Sequence, residues 1–173
     1  MRAAVDALLP LDALVLDLRD NPGGLLDQAV AAAGVFLSGG VVVTVRERAE
    51  EDVWSAGARP SYAGPLAVLV NHGTASAAEI LAGALQDHRR ARLLGEQTYG
   101  KGSVQRLHPL ADGSALKITV ARYLTPAGRA LHGRGLTPDV PLDKPAATGE
   151  NQDPRPAADA WVRRAREDLE ETR

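Results

Sequence analysis

The chain has 173 residues and 18.2 kDa, enough for one domain with a substantial core and too few for two full ones. With 20 basic residues against 22 acidic ones, a net charge of -2 and 3% aromatics, no overall field or stacking platform draws it to nucleic acid or anionic membrane. No cysteine means no disulfide framework, thiolate metal site or cysteine nucleophile; the longest apolar stretches are too short to cross a bilayer, and the opening Met1-Arg-Ala-Ala4 leads into no signal-peptide apolar region.

Residues 13–17 are a short apolar run expected as a buried strand, and Asp20-Asn-Pro-Gly-Gly24 after them is a loop of turn formers. Residues 25–37 read as a helix, with Leu26, Val30, Ala33 and Leu37 at helical spacing and Ser38-Gly39-Gly40 as its stop. A second strand follows at 41–46, a hairpin return around Val53-Trp54, and a third buried strand at 65–70. Next come a helix at 74–87 and a short strand at 92–94, so the alternation predicts an α/β domain whose first strands are parallel. Beyond this point the pattern changes: 103–109 and 115–124 flank Asp112-Gly113, a hairpin signal with no helix between. Residues 137–156 contain five prolines and read as a linker or surface-hugging tail. Residues 157–172 form a charged amphipathic helix with Trp161, Val162 and Leu169 as its apolar members. That helix is expected to be solvated along most of its length and docked by Trp161, or to pair with a second copy of the chain.

Three places combine reactive side chains with suitable backbone. In Asn71-His-Gly-Thr-Ala-Ser76-Ala-Ala-Glu79 a buried strand ends, a glycine turns, and a serine stands at a helix start, beside N–H groups free to hold an oxyanion. Thr74 or Ser76 could equally be an ordinary N-cap. Residues 95–105 nearly match the phosphate-loop pattern, but Gly102 stands where the magnesium-binding hydroxyl belongs and an extended segment follows instead of a helix. Lys101 there, one of only three lysines, is either an exposed loop-tip residue or something more specific. In the third place, Asp17-Leu-Arg-Asp-Asn-Pro-Gly-Gly24, acid and base form a surface pair or serve a site, while the glycines make a turn or bare N–H groups that a carbonyl could approach.

Residues 14–24, Gly73-Thr-Ala-Ser-Ala-Ala-Glu-Ile80, residues 95–105, Arg122-Tyr-Leu-Thr-Pro-Ala-Gly-Arg129 and Gly133-Arg-Gly-Leu-Thr-Pro-Asp139 together resemble the carboxyl-terminal processing, or tail-specific, proteases. The resemblance covers roughly residues 13 to 140 and implies a Ser-Lys serine peptidase on a crotonase-like or Clp-protease-like α/β core. Carried over by position, Ser76 matches the nucleophile, Lys101 the general base and Gln105 its orienting partner. Gly23 and Gly24 match the oxyanion loop, the Ala77 amide would be the other donor, and Asp87 matches a recurrent position read as structural. The implied division is a protease core over 1–140, a proline-rich linker over 141–156 and a C-terminal helix over 157–172. Expected partners are polypeptides with apolar C-termini, with no cofactor, no metal, no nucleic acid, and a homo-oligomer through the last helix as an open alternative. Such proteases usually carry an export signal or membrane anchor, a helical segment and a PDZ domain ahead of the core. This chain therefore reads as a core fragment whose parent acts in the cell envelope.

The chemistry is coherent on its own terms. A serine hydroxyl needs an adjacent base, and a lysine serves only when neutral, which a dry surrounding favours, so Lys101 is expected to be buried. An uncharged Gln105 would hold the amine without re-stabilising its cation. His72, four residues before Ser76, keeps a serine-histidine site as a competitor, although no Gly-x-Ser-x-Gly elbow is present. The histidines lack paired metal-ligand spacing. A non-catalytic scaffold on the same fold, and an acyl-CoA-handling enzyme of the crotonase fold, complete the alternatives.

Overall fold

The computed structural model describes residues 1–143 and 159–172. Of the linker expected over 141–156, all but the first three residues lie outside these. Two four-stranded sheets carry the architecture. In the first, β1 (Leu14–Asp17), β4 (Leu66–Val70), β5 (Arg92–Gly95) and β8 (Val140–Pro141) lie in that order, all parallel. In the second, β3 (Glu51–Ser55), β2 (Val41–Arg46), β7 (Ala115–Leu124) and β6 (Ser103–Pro109) lie in that order, all antiparallel. Four helices accompany them: α1 (Arg2–Leu8), α2 (Leu26–Ala33), α3 (Ala77–Asp87) and α4 (Ala160–Glu171).

A parallel strand must be covered on both faces, and β4 is apolar and buried at every position. Its alternate residues divide between two cores. Leu66, Val68 and Val70 join α2 and α3, whereas Ala67 and Leu69 join Leu94 and the Trp161, Ala165 and Leu169 face of α4. The mixed α/β class expected from the sequence is what the chain adopts.

Several details differ from expectation. The strand at 41–46 leaves the parallel set and pairs antiparallel with β3 and β7. Its half-buried Thr44 and exposed Arg46 suit a sheet with a wet side and would be misplaced inside a doubly covered one. The helix begun at Leu26 stops at Gly34, short of Leu37. There the Val35 carbonyl is taken by the N–H groups of Ser61 and Tyr62, and the Phe36 carbonyl by Arg90 Nε. Tertiary bonds thus serve the carbonyls of the segment after the helix. Neither α1 nor the two-residue β8 was anticipated; α1 is anchored by buried Val5 and by Arg2 donating to the Gly34 carbonyl. Finally, α4 is not mostly solvated, because the second face of the parallel sheet requires it as a cover.

Candidate active site

β1, β4 and β5 run parallel, so their carboxyl ends fall on one side of the sheet and the loops 18–25, 71–76 and 96–102 meet there. This is where open α/β sheets gather ligand-binding residues. The meeting is stitched by short polar side chains. The buried Thr74 hydroxyl donates to the Leu18 carbonyl at 2.8 Å and accepts the Asn71 N–H at 3.0 Å. Asn71 Oδ1 accepts the N–H of Asp20 and of Gly73, and its Nδ2 donates to Asp20 Oδ1. Ala75 N–H reaches the Asn21 carbonyl at 2.9 Å, and Tyr99 N–H reaches the Thr74 carbonyl at 3.0 Å.

Ser76 is the N-cap of α3, so the residue expected either to cap the helix or to act as nucleophile stands at the helix entrance. Its backbone sits at φ 56° and ψ -121°, a strained left-handed conformation for a residue with a Cβ, of the kind concentrated at functional sites. Gly23 fits against it. A Cβ on Gly23 would lie 2.6 Å from Ala75 O, 2.7 Å from Ala77 N and 2.9 Å from Ser76 Cβ, and φ at Gly23 is +96°. Only a glycine allows this approach. The Gly23 N–H is engaged, donating to Asn21 Oδ1 at 2.9 Å. Among the described residues the N–H groups of Gly24 and Ala77 have no hydrogen-bond partner.

Glu79 is the residue whose importance sequence reading missed. It is fully buried, and four donors converge on its carboxylate. Oε1 accepts the Thr98 hydroxyl at 2.6 Å and the Gly100 N–H at 2.7 Å, while Oε2 accepts the Lys101 N–H at 2.8 Å and the Ser76 N–H at 2.9 Å. One oxygen therefore bridges the main chains of Ser76 and Lys101. This also explains the near-match to a phosphate loop. The loop amides do form an anion cradle, and the chain's own carboxylate fills it. The signal was legible in part, since Ser-x-x-Glu at a helix start is a capping-box pattern.

Lys101 is exposed, contrary to the burial that a lysine base demands, and Gln105 is exposed as well. Neither side chain makes a hydrogen bond among the described residues. The flanking glycines explain the outward placement. A Cβ on Gly100 would lie 2.9 Å from Gly135 N, and one on Gly102 2.4 Å from His132 N, so both press against residues 131–135 and the lysine between them faces away. Gln105 stands at a bulge in β6, opposite Thr119. The His72 ring packs against exposed Tyr99 at 5.8 Å between centroids, on the rim, with no hydrogen bond among the described residues. Asp87 accepts the Ala127 N–H and pairs with Arg129, tying the end of α3 to the turn after β7. Among the described residues no three His, Asp or Glu side chains gather to hold a metal ion, and no helix is long and apolar enough to cross a membrane.

The profile of peptidase family S41 matches residues 1–142, and the chain belongs to that family. The carboxy-terminal-processing protease of Bartonella bacilliformis is 48% identical over 147 residues, covering 82% of this chain and 34% of that protein. The chloroplastic carboxyl-terminal-processing peptidase 2 of Arabidopsis thaliana is 48% identical over 149 residues, 83% of this chain and 29% of that one. Among solved structures, a photosystem II D1 C-terminal processing protease superposes with a TM-score of 0.77 at 44% identity, covering 82% of this chain and 38% of that chain. The chain thus spans about a third of the length of the curated relatives it matches.

Proposed function

We propose that this chain is the catalytic core of a serine endopeptidase that cleaves polypeptides near apolar C-termini, with Ser76 as nucleophile, Lys101 as general base and Gln105 orienting the amine. The observation that carries the reading is the Glu79 carboxylate, which fixes the strained Ser76 backbone and the Lys101 backbone to one oxygen at the entrance of α3. In the proposed reaction Ser76 Oγ attacks the scissile carbonyl carbon as Lys101 Nζ takes its proton. The oxyanion is held by the N–H groups of Ala77 and Gly24, while Gly23 supplies the close approach. Collapse breaks the C–N bond and the departing amine takes the proton from Lys101; a water then attacks the acyl carbon as Lys101 Nζ takes its proton, and the Oγ–C bond breaks with that proton returned to Ser76. Bound substrate and the rest of the parent protein would supply the dry wall that Lys101 needs. We infer that the protein acts outside the cytoplasm, a reading supported only by its kinship with processing proteases.

The test is labelling by a serine-reactive fluorophosphonate. Labelling of the chain, or of its parent, is expected to be abolished by Ser76→Ala and to fall at least about a hundredfold in Lys101→Ala, as loss of a base that activates the nucleophile requires. A folded protein that is never labelled would leave the scaffold reading in its place.

A further inference from the structure

The family match ends at residue 142, yet a helix beyond it reaches the loop of the site. Arg19 lies two residues after β1 and four before Gly23. Its guanidinium is gripped by Asp17, with Nε 3.0 and 3.1 Å from the two carboxylate oxygens and Nη2 2.6 Å from Oδ2. The same Nη2 lies 2.8 Å from Asp159 Oδ2, and the guanidinium carbon stands 5.5 Å from the centroid of the Trp161 ring. Asp159 is the N-cap of α4, its Oδ1 accepting the N–H of Trp161 at 2.8 Å and of Val162 at 3.3 Å. One carboxylate thus gives one oxygen to the helix and the other to the arginine. Trp161 is buried and donates from Nε1 to the Asp143 carbonyl at 2.9 Å. Across the loop, Asp20 and Asn21 are tied to Asn71 and Ala75. Residues 19–23 are therefore stretched between α4 on one side and the approach to Ser76 on the other.

We propose that α4 latches the glycine loop of the site, with Arg19 and Asp159 as positioning residues that hold the Gly24 N–H in register with that of Ala77. The proposal rests on the reading of Ser76 as the nucleophile. A guanidinium shared by two carboxylates and laid on an indole face has little rotational freedom, so the position of α4 is passed to the backbone at Arg19. The competing explanation is a clasp that only fastens α4 to the sheet.

Asparagine caps a helix as well as aspartate but cannot form the ion pair, so Asp159→Asn in the full chain separates the two. Expected with α4 still docked, by Trp161 fluorescence and by amide exchange in the helix, is faster hydrogen exchange across residues 20–25. The first-order rate of Ser76 phosphonylation by a fluorophosphonate, in which an O–P bond forms and fluoride leaves, should fall as well, each by about two- to fivefold, the size of a partly exposed ion pair lost. The half-saturating probe concentration should stay unchanged, and Asp159→Glu should recover part of both effects. Unchanged exchange overturns the latch, and so does exchange that rises through α4 and the loop together. Faster loop exchange with an unaltered phosphonylation rate overturns the positioning role. Should the unmutated protein never be labelled, the peptidase reading falls separately, and loop exchange alone decides whether α4 holds the loop.

Discussion

Glu79 sets the backbone geometry of the two residues proposed to react, Ser76 and Lys101, although it bonds to neither side chain. Its two oxygens each take two donors, and a glutamine in the same place would turn an amide N–H2 toward two of them. Glu79→Gln is therefore expected to lower stability by about 2–5 kcal/mol, since stranded buried donors cost about 1–3 kcal/mol each. A shift in urea midpoint at unchanged slope measures it, and a loss under about 1 kcal/mol would show that the four bonds are not needed. Local sequence announced the capping half of this arrangement. The other half, in which Gly100 and Lys101 deliver their amides from 21 and 22 residues away, is set by the parallel pairing of β4 with β5 and has no local signature. The exposed placement of Lys101 was one of the two readings the sequence allowed, and what decides between them was hidden for a similar reason. Its glycine neighbours admit residues 131–135, which a reading along the chain does not bring near.

At the scale of elements, most strands were legible because apolar runs bounded by turn residues mark them directly. The ends of α2 and the existence of β8 were not, since the first depends on Ser61, Tyr62 and Arg90 and the second on Leu93 and Gly95 as backbone partners. For α4, amphipathicity was visible, but the need for a second cover on β4 appears only with the sheet assembled. This helix carries a pH signature. Burial raises the Asp159 carboxyl, but pairing with Arg19 and the two amide bonds at the helix start outweigh it, leaving it below its ordinary 3.8. A carboxyl lowered in the folded state contributes stability that is present above the ordinary value and lost as pH falls through the folded one. Acidification below about 4 is therefore expected to part Arg19 from Asp159 and lower the stability of the chain, with α4 still held by Trp161. The urea midpoint should fall there more steeply in the unmutated chain than in Asp159→Asn; equal acid profiles would contradict the assignment.

The whole molecule is unevenly consolidated. The parallel sheet is covered on both faces, whereas the β6–β7 hairpin leaves Leu107, Leu116 and Ile118 exposed. Register puts Leu116 beside His108 and Ile118 beside Arg106, with Val120 continuing the same face. The alternation along β7 announces a strand without revealing how little of it is covered. Leu116→Ser and Ile118→Ser are each expected to change the stability of this chain by less than about 0.5 kcal/mol, whereas Leu69→Ala in β4 should cost about 2–5 kcal/mol. Urea titrations of the three variants compare these directly, and a large loss at Leu116 would mean that the hairpin is packed in solution.

β6 is the outermost strand of its sheet, so one flank of its main chain is left open. A flat, unguarded margin of that kind invites copies of a protein to polymerise edge to edge. Here the bulge between Val104 and Gln105, the charge of Arg106 and the terminal Pro109 interrupt it, making the margin a poor template for fibre growth.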